Sequence, residues 1–262
     1  RSGEPRWESV SASATAPTWA KQVRWERADL LKPTSYSPFL KRADYVVHSM
    51  GILLEADYKS LISGQESPLS ALQRACSTTK VNNSSENPLN RKEGGPLDQA
   101  QSDEKIQKNG QLTYELMNRD SAISLAREAS KHKVPVLAYI SAAGGAPILP
   151  KRYITSKREA ESTISSEFPL MRGVFFRPGF LYDSSRIITI PLAAMVAVGA
   201  VFNNVTGGIF GGIIGAAGVK PLSADVVAQA VVEALDDNGV KGPVDTKEIE
   251  RLAQKAWRKG MI

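Results

Sequence analysis

A chain of 262 residues with 42% hydrophobic and 23% charged residues can bury a sizeable core and has an ordinary globular composition. Its formal charge of +6 is dispersed over Lys41-Arg42, Arg91-Lys92, Lys131-His132-Lys133, Lys151-Arg152 and Lys157-Arg158, mostly beside acids and with no aromatic stacking series, which excludes a dedicated nucleic-acid role and leaves solvation or attraction to an acidic membrane surface. A single cysteine, Cys76, excludes an intrachain disulfide framework, and two histidines without Cys or carboxylates at metal spacing exclude a His-based metal site or hydrolase triad.

The chain opens on Arg1 with no apolar signal core, and Glu4, Glu8 and Glu26 argue against an intact transit peptide, so the N-terminus is expected to be a cut one. Gln22 to Trp25, followed by Ala28-Asp29-Leu30-Leu31, predicts a short strand leaving into a loop. Tyr36 to Lys41 predicts one or two helical turns, and Ala43 to Met50 a buried strand that ends at Gly51, with His48 as a packed strand residue. Residues 63–111 are rich in Ser, Asn, Gln, Glu, Lys, Pro and Gly and lack apolar periodicity; an exposed, mobile insertion is expected there.

Leu116, Ile123, Leu125 and Ala126 give residues 112–131 a helical apolar face, closed by the basic His132-Lys133. A strand at 134–140, a helix at 151–165 and a strand at 173–176 leading into Arg177-Pro178-Gly179 follow. The alternation predicts an α/β fold: a mostly parallel, doubly wound sheet with helices on both faces. Between Arg186 and Lys220 lie 33 consecutive uncharged residues. Pro191 and repeated glycines interrupt this run, so a buried helix at 191–201 with a Gly-rich turn is expected over a membrane span, an exposed apolar surface being the other alternative. Ser223-Ala224-Asp225 caps an amphipathic helix, and Thr246 to Gly260 predicts a last, basic-ended one.

The candidate chemistry lies in Tyr153-Ile-Thr-Ser-Lys157. Residues four apart share a helix face, so the ammonium is placed beside the phenol and is expected to lower its pKa for proton exchange with a carbonyl or alcohol. Ser141, at a strand end twelve residues upstream, is placed to hold the same oxygen.

These pieces, in this order, resemble an atypical or extended short-chain dehydrogenase/reductase. The resemblance implies a Rossmann-like NAD(P)-binding domain over 1–182 and a small C-terminal substrate or partner subdomain over 183–262. It further implies Ser141, Tyr153, Lys157 and Asn118 as the catalytic set, with Asn118 supporting the lysine. Arg1 and Ser2 are placed at the end of the second strand, where a guanidinium suits the 2′-phosphate of NADP(H) over NAD(H). Asp29 and Leu30 are placed beside the adenine, and His48, Ser49 and Gly51 along the cofactor. Tyr153 and Lys157 also bind the nucleotide, and Arg177, Pro178 and Gly179 close over its nicotinamide end. The family's first strand and Gly-rich turn find no match in this chain, since Gly207 to Gly218 do not follow a strand in the required unit, so dinucleotide binding is expected to need that segment.

The wording of Val46 to Leu54 and Tyr139 to Glu161 looks most like the mitochondrial branch of that family. This branch includes a fungal dehydrogenase-like protein of coenzyme Q biosynthesis and the NAD(P)H-binding accessory subunit of respiratory complex I. It implies the matrix side of the inner membrane and either a reductase of a quinone-pathway or lipid-like substrate, or a non-catalytic subunit of a membrane-peripheral complex. A nucleotide-sugar epimerase or dehydratase is the third alternative.

Overall fold

The computed structural model describes residues 5, 7, 15–52, 113–144, 151–182 and 219–261. The polar stretch 63–111, Cys76, the segment 191–201, Gly207 to Gly218, Arg1 and Ser2 lie outside the described residues.

A four-stranded parallel sheet has the order β1 (Tyr45–His48), β2 (Val136–Ile140), β3 (Arg172–Phe176), β6 (Gly242–Val244). Its register sets Val46 against Leu137 and Ala138 against Val174. A parallel pair of two-residue strands, β4 (Leu181–Tyr182) and β5 (Leu222–Ser223), lies beyond β3. β2 and β3 are flanked on both sides by strands and covered on both faces, which is why Val-Leu-Ala-Tyr-Ile reads as an unbroken apolar run. Among the described residues β1 is an edge strand, and Tyr45 and Val47 alternate outward with 43% and 44% of their surface exposed.

One face is covered by α1 (Ser121–Lys131) and α2 (Lys151–Glu167), whose Ala122, Ala126, Ala129, Ala160 and Ile164 meet Val46, Leu137, Tyr139 and Phe175. Alanines let the helices approach the strands closely. α1 ends in a Schellman turn, with Lys133 left-handed at φ 59° and the Val134 N–H donating to the Ala129 carbonyl at 3.0 Å. The other face is covered by α3 (Ala224–Asp236) and α4 (Thr246–Lys259) through Val227, Ala230, Val231, Ile249 and Leu252 on Val136, Ala138, Val174 and Phe176. Ser223 caps α3 by accepting the Val226 N–H at 3.3 Å, as its position before Ala-Asp predicts. Residues beyond 182 thus supply the fourth strand and the helical cover of the second face. The doubly wound α/β architecture expected from the sequence is present, and no described helix is long and apolar enough to cross a membrane.

One predicted strand is absent. Thr18–Gln22 is a 3-10 turn and residues 24–29 are irregular. Trp25 folds back instead, its indole N–H donating to the Ala20 carbonyl at 3.0 Å and its ring packing edge-on against Trp7 and tilted against Trp19. No described strand lies beside this segment to complete a ladder.

Candidate functional site

In a parallel sheet the loops after the strands gather at the carboxyl edge, where ligands bind in open α/β folds. Here that edge brings together Ser49 to Ile52 after β1, Ser141 to Gly144 after β2 and Arg177 to Gly179 after β3. The first turns of α2 lie along it.

Tyr153 and Lys157 share one face of α2, as their spacing predicts. The Lys157 ammonium lies 5.8 Å from the Tyr153 ring centre and 5.3 Å from that of Tyr139. Tyr114 packs edge-on against Tyr153 at 5.8 Å. Lys157 is 5% exposed and donates to the Ile140 carbonyl at 3.0 Å, leaving its other N–H donors without an acceptor among the described residues. Burial lowers its pKa to about 8, with Glu161 opposing the shift and Arg158 adding to it. The phenol moves contrary to expectation. Burial raises the Tyr153 pKa, and the cation that opposes this rise is Arg158 rather than Lys157.

Asn118 lies in a π-helical turn, Glu115–Asp120, that runs into α1; such widened turns often mark functional sites. Its fully buried amide bridges the backbone of the loop after β1, accepting from the Ile52 N–H at 2.9 Å and donating to the Ile52 carbonyl at 3.3 Å. Its own carbonyl accepts the Tyr139 hydroxyl at 2.6 Å. Asn118 therefore positions the β1 loop and Tyr139, with no contact to Lys157 among its hydrogen bonds. A side chain on Gly51 would come within 2.8 Å of Asn118 Oδ1, so glycine lets this backbone run against the Asn118 amide, and Lys157 Nζ, 3.4 Å from the same point, lies at contact distance. Ser49 is exposed beside it.

His48 is 2% exposed and packs against Tyr139 with ring centres 5.4 Å apart and planes tilted by 56°. The Ser121 hydroxyl gives its one proton to the Met117 carbonyl at 2.7 Å, so at the 3.0 Å contact the His48 Nε2 must carry the proton and donate to Ser121. Nδ1 is then a buried acceptor with no partner. Burial, helped by Lys157, lowers the His48 pKa to about 4, so the ring is neutral at physiological pH. The packed role expected for it is observed.

Ser141 is the main departure. Its hydroxyl proton goes to Glu161, and its oxygen accepts from Arg158 at 3.0 Å. A hydroxyl has one proton to give. The expected role of holding a substrate oxygen by donation is therefore not available in this arrangement. Glu161, 4% exposed, also binds Arg177, whose Nε lies 3.2 and 3.1 Å from the two carboxylate oxygens, and Arg158 at 2.6 Å. Arg177 is thus tied into the protein, while Pro178 accepts the Ala143 N–H at 2.7 Å. Gly179 runs close to the Lys220 carbonyl, where an added side chain would approach to 3.1 Å.

Asp29 caps its own turn by accepting the Leu31 N–H at 3.0 Å, and Leu30 packs on the rim of the α1 and α2 core. Glu161, Arg158 and Tyr139 were not among the candidate site residues read from the sequence.

No protein-family model matches the chain. It is 36% identical over 200 residues to MIOREX complex component 2 of Saccharomyces cerevisiae, an alignment spanning 68% of this chain and 64% of that protein. The chain therefore spans less than two thirds of that curated relative's length. Solved structures with a similar course include the UDP-Glc/GlcNAc 4-epimerase of Campylobacter jejuni, with a TM-score of 0.45 and 14% identity over 92% of this chain and 73% of the other. Another is RMD from Pseudomonas aeruginosa complexed with NADPH, with a TM-score of 0.42 and 16% identity over 88% of this chain and 73% of the other.

Proposed function

We propose that this protein binds a nicotinamide dinucleotide, NADP(H) in preference to NAD(H), at the carboxyl edge of its sheet and uses it as a structural or sensing ligand within a mitochondrial assembly rather than for hydride transfer. The observation that carries the reading is the pairing of a buried Lys157, beside Tyr153 and against Gly51, with a Ser141 whose proton is committed to Glu161. The first half suits a nucleotide: the Lys157 donors can reach sugar hydroxyls, Gly51 admits a close backbone approach, and Tyr153 presents a hydroxyl that has no partner among the described residues. The second half withdraws one of the two hydroxyl donors expected to hold a carbonyl oxygen during reduction. When bound, the dinucleotide would supply a hydride donor or acceptor, and this chain's residues would bind and orient it.

The preference for NADP(H) rests on the resemblance of Arg1 to a 2′-phosphate ligand. The assembly role is supported by the relative named as a complex component. A second reading, a reductase of a ubiquinone-pathway intermediate, is favoured by the Tyr153 and Lys157 pair. The matrix side of the inner membrane and the ubiquinone link rest on the sequence resemblance alone.

Thermal shift of the full-length protein with NADPH and NADH tests binding, and complementation by Tyr153→Phe tests catalysis. A ligand at a hundred times its Kd adds about 2.7 kcal/mol, readable as a shift of several degrees. NADPH is expected to stabilise more than NADH, Tyr153→Phe to complement, and Lys157→Met to lose the shift. A protein stabilised by neither nucleotide would sink the proposal. A Tyr153→Phe variant that binds NADPH but fails to complement would hand the site to the reductase reading.

A further inference from the structure

The Glu161 carboxylate gathers more of the candidate site than any residue the sequence brought forward. It accepts from Ser141 after β2, from Arg177 after β3 and from Arg158 on its own helix. Arg158 extends the clamp by donating to the carbonyls of Ala142 at 2.7 Å and Ala143 at 3.1 Å, and Ala143 is tied in turn to Pro178. One buried carboxylate therefore fixes two strand-end loops against α2, one helical turn from Lys157. We infer that Glu161 is a positioning residue for the nucleotide site, holding the loops after β2 and β3 in place and setting a buried negative charge one helical turn from the Lys157 ammonium. The inference rests on the proposed nucleotide function for its consequence, though not for its physical test.

Geometry and electrostatics agree. Lys157 faces Tyr153, Arg158 and Glu161 on α2, Tyr139 on β2, Gly51 and Asn118 around the β1 loop, and the neutral His48 on β1. Glu161 is the anion in that set, and it opposes the fall that burial and Arg158 impose on Lys157. Removing its charge leaves Arg158 and Arg177 uncompensated beside a buried ammonium. Removing Arg158 instead relieves one repulsion. A carboxylate that merely braced the fold would not give these two changes opposite signs.

The test follows the 13Cε signal of Lys157 between pH 6 and 11 in full-length protein labelled with 13C-lysine, the signal being assigned by Lys157→Arg. The wild-type midpoint is expected near the value of about 8. Glu161→Gln should lower it by on the order of one pH unit and Arg158→Gln should raise it, in keeping with the effect of a single nearby charge. Above each midpoint NADPH affinity should fall, so the pH profile of binding moves with the titration. Unmoved midpoints, or shifts in the same direction, would overturn the inference. If Glu161→Gln does not fold, the charge-balanced Arg158→Gln/Glu161→Gln decides: its midpoint falls below that of Arg158→Gln alone if the Glu161 charge sustains Lys157, and an equal or higher midpoint overturns the inference. Opposite shifts in a protein that binds neither dinucleotide would remove the proposed function and leave the role of Glu161 standing.

Discussion

The two faces of the sheet are built on opposite principles. Under α3 and α4 the sheet contact is mainly apolar, with Val136, Ala138, Val174 and Phe176 against Val227, Ala230, Ile249 and Leu252. The charged exception on those helices is Glu233, buried between α3 and α4 and paired there with Lys255 at 2.9 Å and Lys259 at 2.7 Å, whereas Arg251 and Glu248 pair at the surface. Under α1 and α2 the core is penetrated by His48, Asn118, Ser121, Lys157 and Glu161, each 5% exposed or less. Buried apolar surface stabilises without conditions. A buried polar group stabilises only while each partner is present, and a buried ammonium without a carboxylate in contact costs stability outright. The α3 and α4 face thus holds the fold, and the α1 and α2 face spends some of that stability on a site.

Two substitutions of unequal size would break or sharpen this contrast. Phe176→Ala empties a fully buried position at the centre of the apolar face and should cost about 3–5 kcal/mol in urea unfolding. A loss under about 1 kcal/mol would mean that face is not the stabilising one. Lys157→Met should act the other way. An unfolded lysine holds its proton up to about pH 10.4, whereas in the fold the pKa is about 8. Between those values the unfolded chain binds more protons, so stability rises with pH through the window. Below it the folded protein carries a penalty on the order of 3 kcal/mol. Lys157→Met should therefore be more stable at pH 7, by up to about 3 kcal/mol, and the gain should vanish by about pH 10.5. A gain independent of pH would remove the ammonium as its cause.

The same contrast explains what the sequence made legible. Apolar runs located β1, β2 and β3, apolar faces located α1 and α3, and Ser223 before Ala-Asp marked the start of α3, because these signals are local. Tyr153 and Lys157 were legible as a pair because helical spacing alone puts them on one face. Glu161 was hidden by its own spacing: three residues after Arg158, it has the pattern of a surface ion pair. Only the arrival of Ser141 and Arg177 from two other strands buries it. Ser141 was correctly placed at a strand end, yet its hydroxyl is directed by that same tertiary partner. The predicted strand at Trp25 failed for a related reason. Its apolar alternation needs a neighbouring strand, and the described structure offers the indoles of Trp7 and Trp19 instead.

The finest test compares one substitution on each face. Ser223→Ala removes a helix cap beside the apolar core; its neighbours lose one hydrogen bond to a backbone N–H near solvent, and about 1 kcal/mol is expected. Ser121→Ala removes a hydroxyl of similar size from the other face, where it is 1% exposed and receives the His48 Nε2 proton. The ring cannot recover by moving that proton to Nδ1, because Nδ1 has no acceptor either and Nε2 would still be left unpaired. The full cost of an unsatisfied buried group, about 1–3 kcal/mol, should then appear, so Ser121→Ala should unfold at lower urea than Ser223→Ala. Equal midpoints would mean that water reaches His48, and that the polar face is open where the described structure closes it.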